Sequence, residues 1–203
     1  SLTTRNGPAH LARRRVVGQL FTAAALRRYQ PGITRLCDRL VEDLAAADGP
    51  VALVDRMRPF AFAVIAEEVL GVGPEEQNLL FRDFELWTRG LFRFPLAWPG
   101  SDLARARAAR IRLLQRITTL LPSIEPLKGA CDEAGLPLTD SDLAEQMLLL
   151  LFAGYETTAS SLSAFFLTLL RHPDTIPWLQ EEADRLQWPI GPSEMERLEQ
   201  AVR

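Results

Sequence analysis

The chain has 203 residues, of which 47% are apolar and 24% charged, and its net charge is −3. This length suits one sizeable core or two small ones, in a mix typical of globular proteins. The charge balance excludes a general pull toward nucleic acid, and two cysteines at no metal-like spacing, Cys37 and Cys131, exclude a disulfide framework and a zinc site.

No metal ligand set is therefore expected. A reducing cytoplasm is the expected compartment, and no charged stretch followed by an apolar run near Ser1 reads as a signal peptide. Lys128 is the only lysine among many arginines, the compositional mark of a GC-rich bacterial gene.

Helical periodicity dominates the chain. Pro8 to Phe21 reads as an arginine-rich amphipathic helix, which Ala23 to Tyr29 continues or follows with a short turn. Pro31 suits the first turn of the next helix, running to about Ala47 with Ile33, Leu36, Leu40 and Leu44 on one face. Asp48-Gly49-Pro50 ends it, and Val51 to Val54 fits a short strand. Helices are expected over Met57–Leu70 and from Pro74 to about Phe92, and a loop over Phe92–Gly100.

Ser101 caps a helix through Leu121. Its inner stripe includes Leu114, Ile117 and Leu121, and its outer face carries Arg105, Arg107, Arg110, Arg112 and Arg116. Without interleaved aromatics that basic stripe reads as a solvated face. Pro122 to Leu138 is irregular. Thr139 with Asp142 resembles a capping box and opens the longest helix, Asp140 to about Arg171, which His172-Pro173-Asp174 stops. Thr175–Leu186 is a further helix, and Pro192 begins the last. The class is all-α, in one domain over 1–203.

From Met147 to Leu170 the only charged residue is Glu156. The length suits a membrane span, but a carboxylate at mid-bilayer costs about 3 kcal/mol or more. A helix buried through a soluble protein is the better reading. Within it, Ala153-Gly154-Tyr155-Glu156-Thr157-Thr158 breaks three local rules. Glycine costs about 1 kcal/mol in a helix interior. Threonine's hydroxyl competes for backbone carbonyls. A charge in an apolar run must be hydrogen-bonded or wet. Such clusters are expected at functional sites.

Leu150, Ala153, Thr157 and Ser161 share one stripe, with Gly154 beside it. Small residues there admit a flat ligand or a diatomic to the backbone. Glu156 and Thr157 then form an acid–alcohol pair, a proton relay in outline. A small-residue helix crossing with a polar plug accounts for the same spacing.

The segment resembles the Ala/Gly-Gly-x-Asp/Glu-Thr-Thr/Ser pattern of the I helix of cytochromes P450. Its approach, Leu143 to Phe152, and its exit, Arg171-His172-Pro173, resemble the same helix and the start of the J region. His10-Leu11-Ala12-Arg13-Arg14-Arg15 with Phe21-Thr22 is similar to the family's C helix, whose pattern is His-x-x-x-Arg. His10 and Arg14 are four apart and so share a face.

The resemblance implies an all-α P450-like fold, from the C helix to the J or J′ region, without the family's N-terminal strands, B helix, K helix and cysteine loop. It implies haem as cofactor, with His10 and Arg14 on the propionates and Ala153 and Gly154 beside the haem. An arginine fork suits carboxylates. Glu156 and Thr157 steer protons. Leu149, Phe152, Trp87, Leu91, Phe92 and Phe94 line the substrate side. The implied activity is a monooxygenase that takes electrons from a ferredoxin or flavoprotein reductase and puts one atom of O2 into an apolar small molecule.

The family's iron is held by a cysteine thiolate in a Phe-x-x-Gly-x-Arg-x-Cys loop. Neither Cys37 nor Cys131 has that context, so the axial ligand is not expected in this chain, and the chain alone is expected to be inactive. Glu194-Met195-Glu196-Arg197 fits the letters of the K-helix motif without its context and reads as a decoy. The alternatives are a helical ligand-binding regulator, which requires a DNA-binding head near the N-terminus, and a non-catalytic helical remnant.

Overall fold

The structure is a computed structural model that describes residues 6–91, 98 and 100–186. Seven α-helices appear among them: α1 (Gly7–Gly18), α2 (Ala23–Ala45), α3 (Leu53–Ala63), α4 (Pro74–Leu91), α5 (Asp102–Leu120), α6 (Asp140–Arg171) and α7 (Ile176–Asp184). No strand occurs among the described residues, only an isolated antiparallel bridge between Cys131 and Pro137. The all-α expectation holds. Among the described residues no helix is long and apolar enough to cross a membrane.

The ends of α6 lie where their chemistry puts them. The Thr139 hydroxyl accepts from Asp142 N at 3.1 Å and donates to Asp142 Oδ2 at 3.0 Å, so cap and third residue hold each other. Ser101 caps α5 in the same way, accepting from Ala104 N at 3.2 Å.

Three expectations are corrected. Pro31 does not start a helix; it lies inside α2, which runs unbroken for 23 residues. Proline inside a helix costs about 3 kcal/mol, but Ala25, Tyr29, Gly32 and Leu36 form one buried face on both sides of it, and Pro31 itself is exposed. Val51 to Val54 is no strand: Leu53 already opens α3 and packs in the small cluster of Met57, Ala61 and Ala159. The helix expected over Met57–Leu70 starts four residues earlier and widens into a π-helical segment, Val64–Val69.

That segment is held on both sides. Glu67 accepts from Arg39 of α2 at 3.1 Å, and Glu68 from Arg35 at 3.3 Å. The Glu68 carboxylate lies where a side chain at Gly32 would be, so a larger residue there would have to push the carboxylate aside. Burial raises the Glu68 carboxyl above its usual range, against the opposing pull of Arg35.

The main core joins α1, α3, the π segment, α4, α5 and α6 through Val16, Phe62, Ala66, Leu80, Phe84, Leu113, Ile117, Met147 and Leu151. The outer arginines of α5 are more engaged than a solvated face implies. Arg112 donates from Nε to Asp83 at 3.0 Å, Arg110 pairs with Glu145, and Arg116 with Glu76 at 3.6 Å. They clamp α4 and α6 onto α5, because the long side chains reach past the helix edge.

Candidate functional site

α6 has one side in the core and one side open. Leu151, Tyr155 and Ala159 are buried, whereas Ala153, Glu156, Thr157, Ser160 and Ser161 are exposed. The stripe read from the sequence is thus an open face across the middle of the molecule's longest helix.

The Thr157 hydroxyl donates to Ala153 O at 2.6 Å, the back-bond that threonine makes inside a helix. Its lone pairs remain available to a further donor. Beside it, Glu156 accepts two hydrogen bonds from Arg58 of α3, from Nε at 3.1 Å and Nη2 at 2.8 Å. The acid that the sequence leaves without a partner is an ion-paired carboxylate. The Arg58 guanidinium is raised above its ordinary value, first by that hydrogen bond, with burial opposing.

Tyr155 points the other way. Its ring lies 5.0 Å from Phe84, 6.2 Å from Phe81 and 6.5 Å from Phe62, in edge-on geometry. Burial pushes its phenol up to about 12. Gly154 is half-buried, and a Cβ there would meet the Ile65 Cδ1 of the π segment.

Of the residues expected on the substrate side, Trp87 and Phe152 come together, with ring centroids 5.7 Å apart, and both pack partly against the core. Leu149 is half-buried and Leu91 exposed. Phe92, Phe94 and the Glu194–Arg197 motif lie outside the described residues.

On α1, His10 is half-buried and Arg14 exposed, and neither has a hydrogen bond or ion pair with the described residues. Their neighbour Arg13 is the one that turns inward. It is 3% exposed and donates to Asp142 of α6 at 2.9 Å. Cys37 is exposed on α2, its thiol raised by burial of the sulfur and by Asp38. Cys131 is half-buried and bonds Gly129 O.

Sequence reasoning missed Arg58, Arg13 and Ile65. The need for a partner to Glu156 was visible in the apolar run around it, but nothing local marks a residue 98 positions away.

The family model for cytochrome P450 matches residues 119–199. A putative cytochrome P450 120 from Synechocystis is 31% identical over 92% of this chain and 44% of its own length. A vitamin D(3) 25-hydroxylase from Pseudonocardia autotrophica is 33% identical over 86% of this chain and 43% of its own. The structure of retinoic acid-bound cyanobacterial CYP120A1 superposes on 98% of this chain with a TM-score of 0.84 at 28% identity.

The chain belongs to the cytochrome P450 family.

It spans about half the length of the curated relatives it matches. As a P450 chain it contributes an all-α part of that fold, and the family implies a haem cofactor. Membership of the P450 family sets the regulator alternative aside.

Proposed function

We propose that this chain supplies the oxygen-side helices of a haem-dependent monooxygenase acting on an apolar organic molecule. The observation that carries this reading is the open face of α6, where the Thr157 hydroxyl stands beside Ala153 and next to the Arg58-held Glu156 carboxylate.

The residues present fit the cofactor. His10 and Arg14 lie on successive turns of α1 and are uncommitted to any described residue, as a donor set for two carboxylates should be. Ala153 offers a small, exposed surface on which a flat group can rest. When bound, haem supplies the binding and reductive activation of O2.

This chain's own residues then do three things. His10 and Arg14 bind the propionates. Thr157, held in one rotamer by its bond to Ala153 O, would accept a hydrogen bond from a water and, on releasing that carbonyl, donate its own proton toward the haem side while taking one from the water. Glu156, whose side chain is half open to solvent, would replace that proton by taking one from solvent as its pair with Arg58 opens. Trp87, Phe152 and Leu149 present apolar surface to the substrate, and Phe92, outside the described residues, is proposed for the same role. The bacterial relative that hydroxylates vitamin D(3) and the neighbour that binds retinoic acid support a lipophilic, isoprenoid-like substrate class.

A ferredoxin or flavoprotein reductase is the proposed electron donor, and the cytoplasm the proposed compartment. Neither Cys37 nor Cys131 is proposed as an iron ligand, so residues 1–203 alone are proposed to be inactive. Residues 1–203 mixed with haem, dithionite and CO should give no thiolate-type Soret band, and a clear band of that type would overturn this assignment. In a polypeptide that carries these residues together with a cysteine loop, isotopically labelled O2 should place its label in the hydroxylated product. Label arriving from water instead would defeat the monooxygenase reading.

A further inference from the structure

Three buried side chains, Arg13, Tyr29 and Gln146, carry polar atoms with no hydrogen-bond partner among the described residues, and Arg13 and Gln146 carry four of the five such atoms. Arg13 of α1 is 3% exposed, and its Nε and Nη1 have no hydrogen-bond partner among the described residues. Gln146 of α6 is 1% exposed, and both its amide nitrogen and its amide oxygen lack one.

Both side chains border Asp142 of α6. Arg13 reaches α6 at Asp142, with Nη2 2.9 Å from Oδ1. Gln146 follows Asp142 by four residues, so the two side chains are neighbours on one helical face, about 5–6 Å apart at Cβ. The other contact of Arg13, from Nη1 to Glu133, is 3.8 Å, too long for a direct hydrogen bond.

Burying such groups dry is costly, and buried polar groups in folded proteins are nearly always satisfied. The chemistry around them selects the occupant. Asp142 and Glu133 repel an anion, and the Arg13 guanidinium repels a cation. Arg13 offers donors, and Gln146 offers both a donor and an acceptor. A small neutral molecule that both donates and accepts is required, and water is the one always at hand. A buried water needs two to four polar partners, and the four orphan atoms supply them.

We propose that Arg13 and Gln146 form a buried hydration site between α1 and α6, in which bound water links the two side chains. The site lies on the stripe of α6 that continues to Ala153 and Thr157. It therefore couples the helix bearing His10 and Arg14 to the helix bearing Thr157. Arg13 and Gln146 are positioning residues here, and the site stands independently of the reading of the reaction.

The test uses residues 1–203 labelled with ¹⁵N and measures magnetisation transfer from water. Cross-peaks of slow-exchange sign between water and the Gln146 amide hydrogens and Arg13 Nε–H are expected. Gln146→Leu keeps the volume and removes both amide atoms. With a hydrated site, this strands Arg13 and its water, and Tm should fall by roughly 3 °C or more, with the Arg13 cross-peak lost. With a dry site, the same change removes an uncompensated polar group, and Tm should rise. Absence of the cross-peaks in the wild-type chain, or a rise in Tm of the variant, overturns the proposal. If Gln146→Leu does not fold, the wild-type cross-peaks decide alone.

Discussion

Arg58 and Glu156 stand 98 residues apart in the chain and meet as a fork on a carboxylate, two guanidinium nitrogens on two oxygens at 3.1 and 2.8 Å. The Arg58 side chain is 37% exposed and that of Glu156 48%, so the pair contributes little to stability, about 0–1 kcal/mol. Its use is directional. Arg58→Met should lower Tm by no more than about 3 °C, and the difference from wild type should shrink in high salt. In the assembled enzyme it should nevertheless lower the product formed per electron pair. Arg58→Lys keeps the charge but loses the fork, and should fall between. Equal coupling in all three proteins would show that the pair is only a surface contact.

Thr157→Ala removes a hydroxyl that bonds its own helix at Ala153 O. Alanine is the better helix former, so Tm should hold or rise slightly, by the equivalent of about 0.5 kcal/mol. In the assembled enzyme, electron consumption should persist while product falls and peroxide rises. Positioned acid–base groups contribute about 10²- to 10⁴-fold, less where water takes the hydroxyl's place. Peroxide release and product measured against electrons consumed check this; wild-type coupling in the variant would leave Thr157 a packing feature.

Tyr155 is one of two tyrosines, and burial holds its phenol up near 12. A folded value above the unfolded value of about 10 means the stabilisation is complete below pH 10. It is lost as pH rises through 12. Absorbance titration should show a late tyrosinate step that Tyr155→Phe abolishes. The phenylalanine keeps the ring contacts with Phe84 and Phe81, so neutral-pH stability should change by less than about 1 kcal/mol. Tyr155→Leu removes those contacts and should cost about 1–3 kcal/mol, read from urea unfolding at pH 7.

Two glycines in helix contacts should respond differently to alanine. At Gly90 the added methyl meets the Ala106 Cβ of α5, which has no freedom to move, and overpacking should cost about 1–3 kcal/mol. At Gly154 it meets the tip of Ile65, which can turn aside, and the gain of about 1 kcal/mol in helix propensity works in its favour. Gly154→Ala should therefore be much milder. Adding Ile65→Val should recover stability beyond the sum of the single changes, since the two share one space. Additive denaturation midpoints would mean that the two residues do not compete.

The parts of the fold written in local chemistry were legible. Thr139 and His172-Pro173 mark the ends of α6 because capping and helix breaking act within a turn. Pro31 misled because a buried face about three turns long outweighs one missing hydrogen bond, and that face is visible only once α3 and the π segment pack on it. At the site, the odd cluster at residues 153–157 was legible as an exception to helix rules. Its partners were not: Arg58 and Ile65 look ordinary in their own segments. On α1 the His-x-x-x-Arg spacing drew attention to Arg14, while burial of Arg13 depends on a carboxylate 129 residues on.

The π segment Val64–Val69 closes its ladder from Leu70 N to Ile65 O at 3.1 Å, five residues back rather than four. One residue is thus held in excess of an α-helical count. Deleting one of these six would let the turn close as an ordinary α-helix with the chain on either side still in phase, because the wide turn is what absorbs the extra residue. What would move is the segment itself, and with it Glu67 and Glu68 relative to Arg39 and Arg35. Among homologous genes, a one-residue alignment gap is therefore expected within this stretch, in proteins where the residue at the place of Phe62 still reaches the core.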